Sequence, residues 1–324
     1  MTTYFVMPGE TLSGVTLSGG DTELVGSGGA ATATIINGGF QDDLGAAIGT
    51  IINAGFQYVE SGAMARNTVI YGDGQLVEAG GTASDTTVYG GGEQLVMSGG
   101  TVSGTIINGG LQDDFGIAVS TTINTGGIEV IEAGGAASAA IIAGGAQYVS
   151  GAATGTIIGS GYQFLEAGGT ASNTRIGVAG AQIVASGATA TSTTMFGGFE
   201  DVVGNATGTI INAGLQLVEA SGTATSTTIS GGYQDDFGSA IGAIVNFSGT
   251  QFVEGGAVAI GTIINGGEQI VESAASAIGT TISAGVQLLE FGGSASNTTV
   301  QRRRTIRWHR RRGDGHDDQR RYSG

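Results

Sequence analysis

Two short β-type triplets alternate along most of this chain. One reads Gln-apolar-Val, as in Gln75-Leu76-Val77, and the other reads Thr-x-Ile, as in Thr105-Ile106-Ile107. With the first position of the Gln triplet as marker, and Glu tolerated there, the pattern runs from Glu23 through Gln41, Gln57 and Gln75 to Gln287. That is sixteen markers with a mean step of 17.6 residues. The Thr triplet also recurs sixteen times, from Thr34-x-Ile36 to Thr298-x-Val300, and only Ala140 and Ala243 replace its leading Thr. Runs rich in β-branched residues fit a pleated backbone and disfavour helix, and no stretch keeps a 3.6-residue apolar period over a helical length. Gly doublets such as Gly38-Gly39, Gly109-Gly110 and Gly266-Gly267 fall between the triplets, where corners are needed.

A unit of about eighteen residues with two or three short strands is too short for a propeller blade. It matches one coil of a single-stranded parallel β-helix, an all-β solenoid of about sixteen coils. Coils stacked roughly 4.8 Å apart would make a rod on the order of 75 Å long. Columns such as Val59, Val77, Val96 and Ile52, Ile70, Val88, Ile107 are expected to fill a narrow core. The Gln column and the Asn column (Asn37, Asn53, Asn108, Asn124, Asn212, Asn265) are expected to form amide ladders at the corners. Since no clean period of six is present, a right-handed coil is expected. The chain divides into an N-terminal cap and first coil (1–20, the cap being Tyr4-Phe5-Val6-Met7), a β-helix repeat domain (21–300) and an Arg-rich tail (301–324).

Charge sharpens this division. Residues 1–300 hold 24 of the 27 acids and two of the eleven arginines, a net of −22. Such a body repels nucleic acid and anionic lipid. The tail holds the other nine arginines, both histidines and the single Trp, and its composition predicts no folded structure. Its Arg clusters at 302–304, 310–312 and 320–321 keep the spacing of the Gly doublets at Gly80-Gly81, Gly90-Gly91 and Gly99-Gly100. A GGC codon run read one base out of phase encodes Arg, so the tail reads as an out-of-frame continuation of the repeat; a basic arm for anionic surfaces is the rival. With no Cys, disulfides and Cys-ligated metals are excluded. No apolar run approaches the ~18 residues that span a bilayer. The first residues lack a basic n-region and do not read as an ordinary secretory signal.

The cassette Q-x-V-x-x-G-G-x-A-x-x-T-x-I-x-x-G-G, carried most fully by Gln75 to Gly91, Gln163 to Gly177 and Gln216 to Gly232, resembles the strand-loop-strand repeats of AIDA-type and antigen-43-type autotransporter passengers over roughly residues 10–300. That resemblance implies a surface-displayed or secreted right-handed β-helix acting in adhesion and self-association. Its implied partners are itself, or glycans or proteins on host or neighbouring cells. The β-barrel translocator of that family is not recognised here, nor is the autoprocessing Hint-type domain of related repeat proteins. The alternatives are a structural spacer without binding activity and a polysaccharide-active β-helical enzyme.

Chemistry-bearing residues are few. Three units replace Gln-apolar-Val by Gln-Asp-Asp, pairing Asp42 with Asp43, Asp113 with Asp114 and Asp235 with Asp236. Paired Asp on a turn could offer some of the oxygens a Ca²⁺ ion requires. Against this, a one-residue slip that brings Leu44, Phe115 and Phe237 inward would leave both Asp toward solvent or a corner. No other metal and no cofactor is expected. The body has no His and no Lys, and its acids mostly recur in register (Glu60, Glu78, Glu132, Glu166, Glu219, Glu254, Glu272, Glu290), as an exposed solubilising column would. No catalytic set is therefore expected. The middle residue of the Thr triplet alternates Ile51, Ile106, Ile157, Ile210, Ile263 with Thr87, Thr122, Thr194, Thr228, Thr281. Two faces are possible for it, and the core-facing one is expected.

Overall fold

The computed structural model describes residues 1–301, and among them every element is a β-strand. The chain winds into an all-β parallel solenoid of about 17 turns. At the coil spacing of a β-ladder this is a rod roughly 80 Å long. Each turn has three faces, described by what they bury. The Gln face carries the Gln-x-Val triplet, the Ala face a three-residue strand such as Thr82–Ser84, and the Ile face the x-Ile pair after the buried Thr. In several turns the Ile and Gln faces join in one nine-residue strand, as in Ile35–Asp43 and Ile51–Val59.

Pairing is parallel and in register, so like stacks on like. Gln57 sits opposite Gln41 and Gln75, Val77 opposite Val59 and Val96, and Ile70 opposite Ile52 and Val88. The apolar columns read from the sequence are the core: Val59, Val77, Val96, Ile52, Ile70, Val88 and Ile107 are all fully buried. They form two separate apolar stacks, Val with Ala and Ile with Ile, rather than one.

Between the stacks lies what the sequence reading had placed at the corners. From Glu23 to Gln269 the Gln column is buried. Thr34 Oγ1 donates to Glu23 Oε2 at 2.8 Å, Thr50 Oγ1 to Gln41 Oε1 at 2.8 Å and Thr105 Oγ1 to Gln94 Oε1 at 2.9 Å. Along the axis the amides donate to the turn before them, Gln112 excepted: Gln75 Nε2 to Gln57 Oε1 at 2.8 Å, Gln94 Nε2 to Gln75 Oε1 at 2.7 Å, Gln182 Nε2 to Gln163 Oε1 at 2.7 Å. A buried amide is tolerated only when its donors and acceptors are paired, and a periodic ladder pairs them turn after turn. The Asn ladder does lie on the surface, with Asn53 Nδ2 on Asn37 Oδ1 at 2.8 Å and Asn124 Nδ2 on Asn108 Oδ1 at 2.7 Å.

The corner before the buried Thr is made by one residue in the left-handed region. It is Gly in some turns and Ala33, Asn67, Asp85, Ser120, Asn173 or Ser192 in others, with φ of 53–58°. The doublet rule missed this corner, because small and polar residues share it with Gly.

The expected cap is an ordinary rung. Thr3–Val6 pairs with Thr22–Val25, Tyr4 standing opposite Glu23 and Val6 opposite Val25. This supplies the turn beyond the sixteen counted. At the other end Val300 is 64% exposed, whereas its column-mate Ile264 is fully buried. The Arg clusters of the tail and its proposed frame change lie outside the described residues, apart from Gln301.

Candidate functional site

The three Asp pairs keep the ladder's register, and the expected one-residue slip does not occur. Asp43 lies between Val25 and Val59, Asp114 between Val96 and Ile131, and Asp236 between Val218 and Val253. Asp43, Asp114 and Asp236 are 0% exposed, while Leu44, Phe115 and Phe237 stay outside at 46%, 39% and 43%. Alternation along a strand explains this. With Gln41 inside, the residue two later must also be inside, and the one between points outward. Asp42, Asp113 and Asp235 accordingly sit on the opposite side of the strand from their neighbours. The two carboxylates of a pair cannot converge on one Ca²⁺, and among the described residues no group of three or more acids or His is arranged for a metal.

The interior acids have another character. Burial pushes Asp43 and Asp114 well above the ordinary Asp range, the latter further raised by Glu129, and it pushes Asp236 up to about 8. Glu23, Glu129 and Glu200 stand in the Gln column and are raised for the same first reason. Each of the Asp accepts from a neighbouring amide: Gln57 Nε2 on Asp43 Oδ2, Gln251 Nε2 on Asp236 Oδ2 and Gln112 Nε2 on Asp114 Oδ1, all at 2.9 Å. The cost appears at Asp114. Gln112 has turned its amide to Asp114, which leaves Gln112 Oε1 without a donor. Glu129 Oε1, on the next rung of the same column, also lacks one. Neither oxygen finds a donor in the column, and burial favours the protonated form of Glu129.

Outside, the faces differ sharply in charge. The middle residue of the Thr triplet points to solvent, contrary to the core-facing expectation. Ile106, Ile141, Ile157, Ile210 and Ile263 are 40–45% exposed, and the Thr (Ala140 before Ile141) and the Ile flanking each of them are the buried ones. This column and the parallel one two residues on (Ser18, Asn37, Asn53 through Phe196 to Asn265 and Ser283) contain a single charged residue in seventeen rungs, Arg175. The acids lie elsewhere. Glu93, Asp42, Asp113, Asp201 and Asp235 stand on the Gln face, and the column Glu60, Glu78, Glu132, Glu166, Glu219, Glu254, Glu272, Glu290 follows it at the next corner, half-buried to exposed. Crowding there is real: burial and the adjacent Asp235 raise Glu254 to about 7. The rod therefore carries its acids on the Gln face and the corner that follows it, while the outward columns of the Ile face and of the Ala face hold one charged residue each, Arg175 and Arg66.

Among solved structures, the chain is similar to the crystal structure of a TibC-catalyzed hyper-glycosylated fragment of TibA, residues 55–350. The identity is 30% over 92% of this chain and 94% of that one, with a TM-score of 0.51. A mutant tailspike protein of E. coli bacteriophage HK620, solved with a pentasaccharide, aligns over 92% of this chain and 73% of that one. Its identity of 10% and TM-score of 0.24 carry no argument. No family model and no curated protein matches.

Proposed function

The chain belongs to the family of β-helical autotransporter passengers represented by the TibA fragment, and from that premise we propose that it is an adhesin-like segment, displayed at the cell surface or secreted, that associates with a second copy of itself along the Ile face. It works as the AIDA-type and antigen-43-type passengers do, by many weak contacts along a side rather than by catalysis in a pocket. The exposed isoleucines of the Ile face carry this reading. Two rods of this charge repel through the sides that bear the acidic columns, and of the two faces without such columns the Ile face is the one whose outward Thr-triplet column is mostly β-branched Ile, Val and Thr. A strip roughly 80 Å long and about 10 Å wide offers about 800 Å² per partner, the size of a standard protein interface. The exposed isoleucines in this strip, set beside the Asn ladder, give it the mixed apolar and neutral-polar surface common to protein interfaces.

Substituting Ile157 and Ile210 together by Glu is the test. Both side chains are exposed, so folding is retained, and two charges on each strip set like against like. Self-association measured by sedimentation is expected to weaken by about tenfold or more. It should strengthen in the unmodified chain as salt screens the acidic flanks. A monomer at all concentrations, or a variant that associates unchanged, would sink the proposal. The spacer reading expects the former. The enzyme reading expects glycan depolymerisation abolished by a single carboxylate substitution.

The TibA fragment is hyper-glycosylated, and the Ala face here carries paired hydroxyls at Thr170/Ser172, Thr189/Thr191 and Thr223/Thr225 on alternating outward positions. These are proposed as O-glycosylation acceptors. Intact-mass analysis after co-expression with a TibC-type transferase should show added sugar, and Thr→Val at those three Thr pairs' first positions should lower the count.

A further inference from the structure

The Gln face carries two outward columns, one residue before and one after each buried Gln. Phe40, Phe56, Gly74 and Glu93 stack in the first, and Asp42, Tyr58, Leu76 and Leu95 in the second. The Phe40 and Phe56 rings stack with centroids 6.4 Å apart and planes within 10°. Tyr58 lies 6.2 Å from Phe56 at 32°. The column of rings stops at the next rung because Gly74 has no side chain; a Cβ there would stand 2.8 Å from the Glu93 carbonyl oxygen. Phe56 remains 39% exposed. Above it opens a notch of about 160 Å³, lined by Phe56, Tyr58, Gly74, Leu76, Glu93 and Leu95. Phe56 and Glu93 are two rungs apart, roughly 9.6 Å, so a flat ring lying at the height of Gly74 would sit about 4.8 Å from each.

We propose that this notch binds one pyranose ring of a neutral glycan, its C–H face on Phe56 and its hydroxyls donating to the Glu93 carboxylate. The chemistry of the lining selects this ligand. The negative face of an aromatic ring attracts polarised C–H groups. A carboxylate at the rim accepts only, so its partner must bring donors. A plain aromatic ring would cover Glu93 without giving it a hydrogen bond, which costs free energy. An anionic sugar is repelled by Glu93 and by the net charge of the body. Small apolar pockets with a few placed polar groups are the general form of such sites. The notch lies on the Gln face and does not depend on whether the Ile face pairs.

The experiment is saturation-transfer NMR on the full chain with methyl glucopyranoside, galactopyranoside and mannopyranoside and with N-acetylglucosamine, phenol serving as the aromatic competitor. At least one glycoside is expected to gain saturation at its ring protons, with millimolar affinity. That signal should fall by about fivefold or more in Phe56→Ala and in Glu93→Leu. It should persist in Phe40→Ala, which removes the ring beneath without touching the notch. Circular dichroism confirms that each variant stays folded, and Phe56→Leu replaces Phe56→Ala if it does not. No saturation of any glycoside, saturation of phenol alone, or an unchanged glycoside signal without the Phe56 ring would each overturn the proposal.

Discussion

Replacing Asp236 by Val is expected to stabilise the central turns by about 5 kcal/mol at pH 8.5 and by far less at pH 4. Asp236 is fully buried between Val218 and Val253, and its carboxyl is pushed up to about 8 from an ordinary value of 3.8. The sign follows from proton counting. Between those two values the folded chain holds a proton that the unfolded chain has lost, so stability falls as pH rises. It is complete below about pH 4, declines through the range 4 to 8 and levels above it. Asp43 and Asp114 are raised by the same burial and act in the same direction. Valine matches the column, and Gln251 keeps Gln234 Oε1 as a second acceptor at 3.2 Å. Because a solenoid opens turn by turn, amide hydrogen exchange over residues 215–253 is the suitable measurement. Equal protection in both proteins at pH 8.5, or a rise of protection with pH in the unsubstituted chain, would show that Asp236 is not buried as the neutral acid.

Glu129→Gln is expected to stabilise the turns around it by about 2–3 kcal/mol at pH 7.5. The substitution supplies the missing donor. Its amide brings a donor to the rung next to Gln112, whose Oε1 has none, and its Oε1 can accept from Gln147 Nε2 as Glu129 Oε2 does now. It also removes the ionisable group that raises Asp114. The gain should shrink toward acid pH, where the raised Glu129 carboxyl is protonated and supplies a donor of its own. Urea denaturation at pH 5 and pH 7.5 reads both effects, and a variant less stable than the parent at pH 7.5 would contradict the assignment. A shared origin is plain: each acid stands where the repeat calls for an amide or a Val, and burial there favours its protonated form.

Such sites mark the limit of what period and composition reveal. The 17.6-residue step, the β-branched triplets and the recurrence of Val and Ile determined by themselves a stack of parallel strands with two apolar columns, since nothing else buries identical small units. The broader family, β-helical autotransporter passengers, followed from the same cassette. The direction of each side chain was another matter. In a triplet such as Thr105-Ile106-Ile107 both alternating sets are β-branched, so hydropathy does not say which set faces in. The left-handed residue before the Thr decides it, by turning Thr105 and Ile107 inward and leaving Ile106 at 40% exposure. The Gln column is similar. A polar side chain looks like a surface residue until the stack gives it an amide above, an amide below and a Thr hydroxyl beside it, and only then is burial affordable. Once Gln41 is inside, Asp43 must follow it, because strand alternation is rigid. The sequence alone thus determined the coil, its period and its family. The tertiary stack decided which face is neutral and exposed and which acids are buried, because both depend on partners one turn away, some eighteen residues distant along the chain.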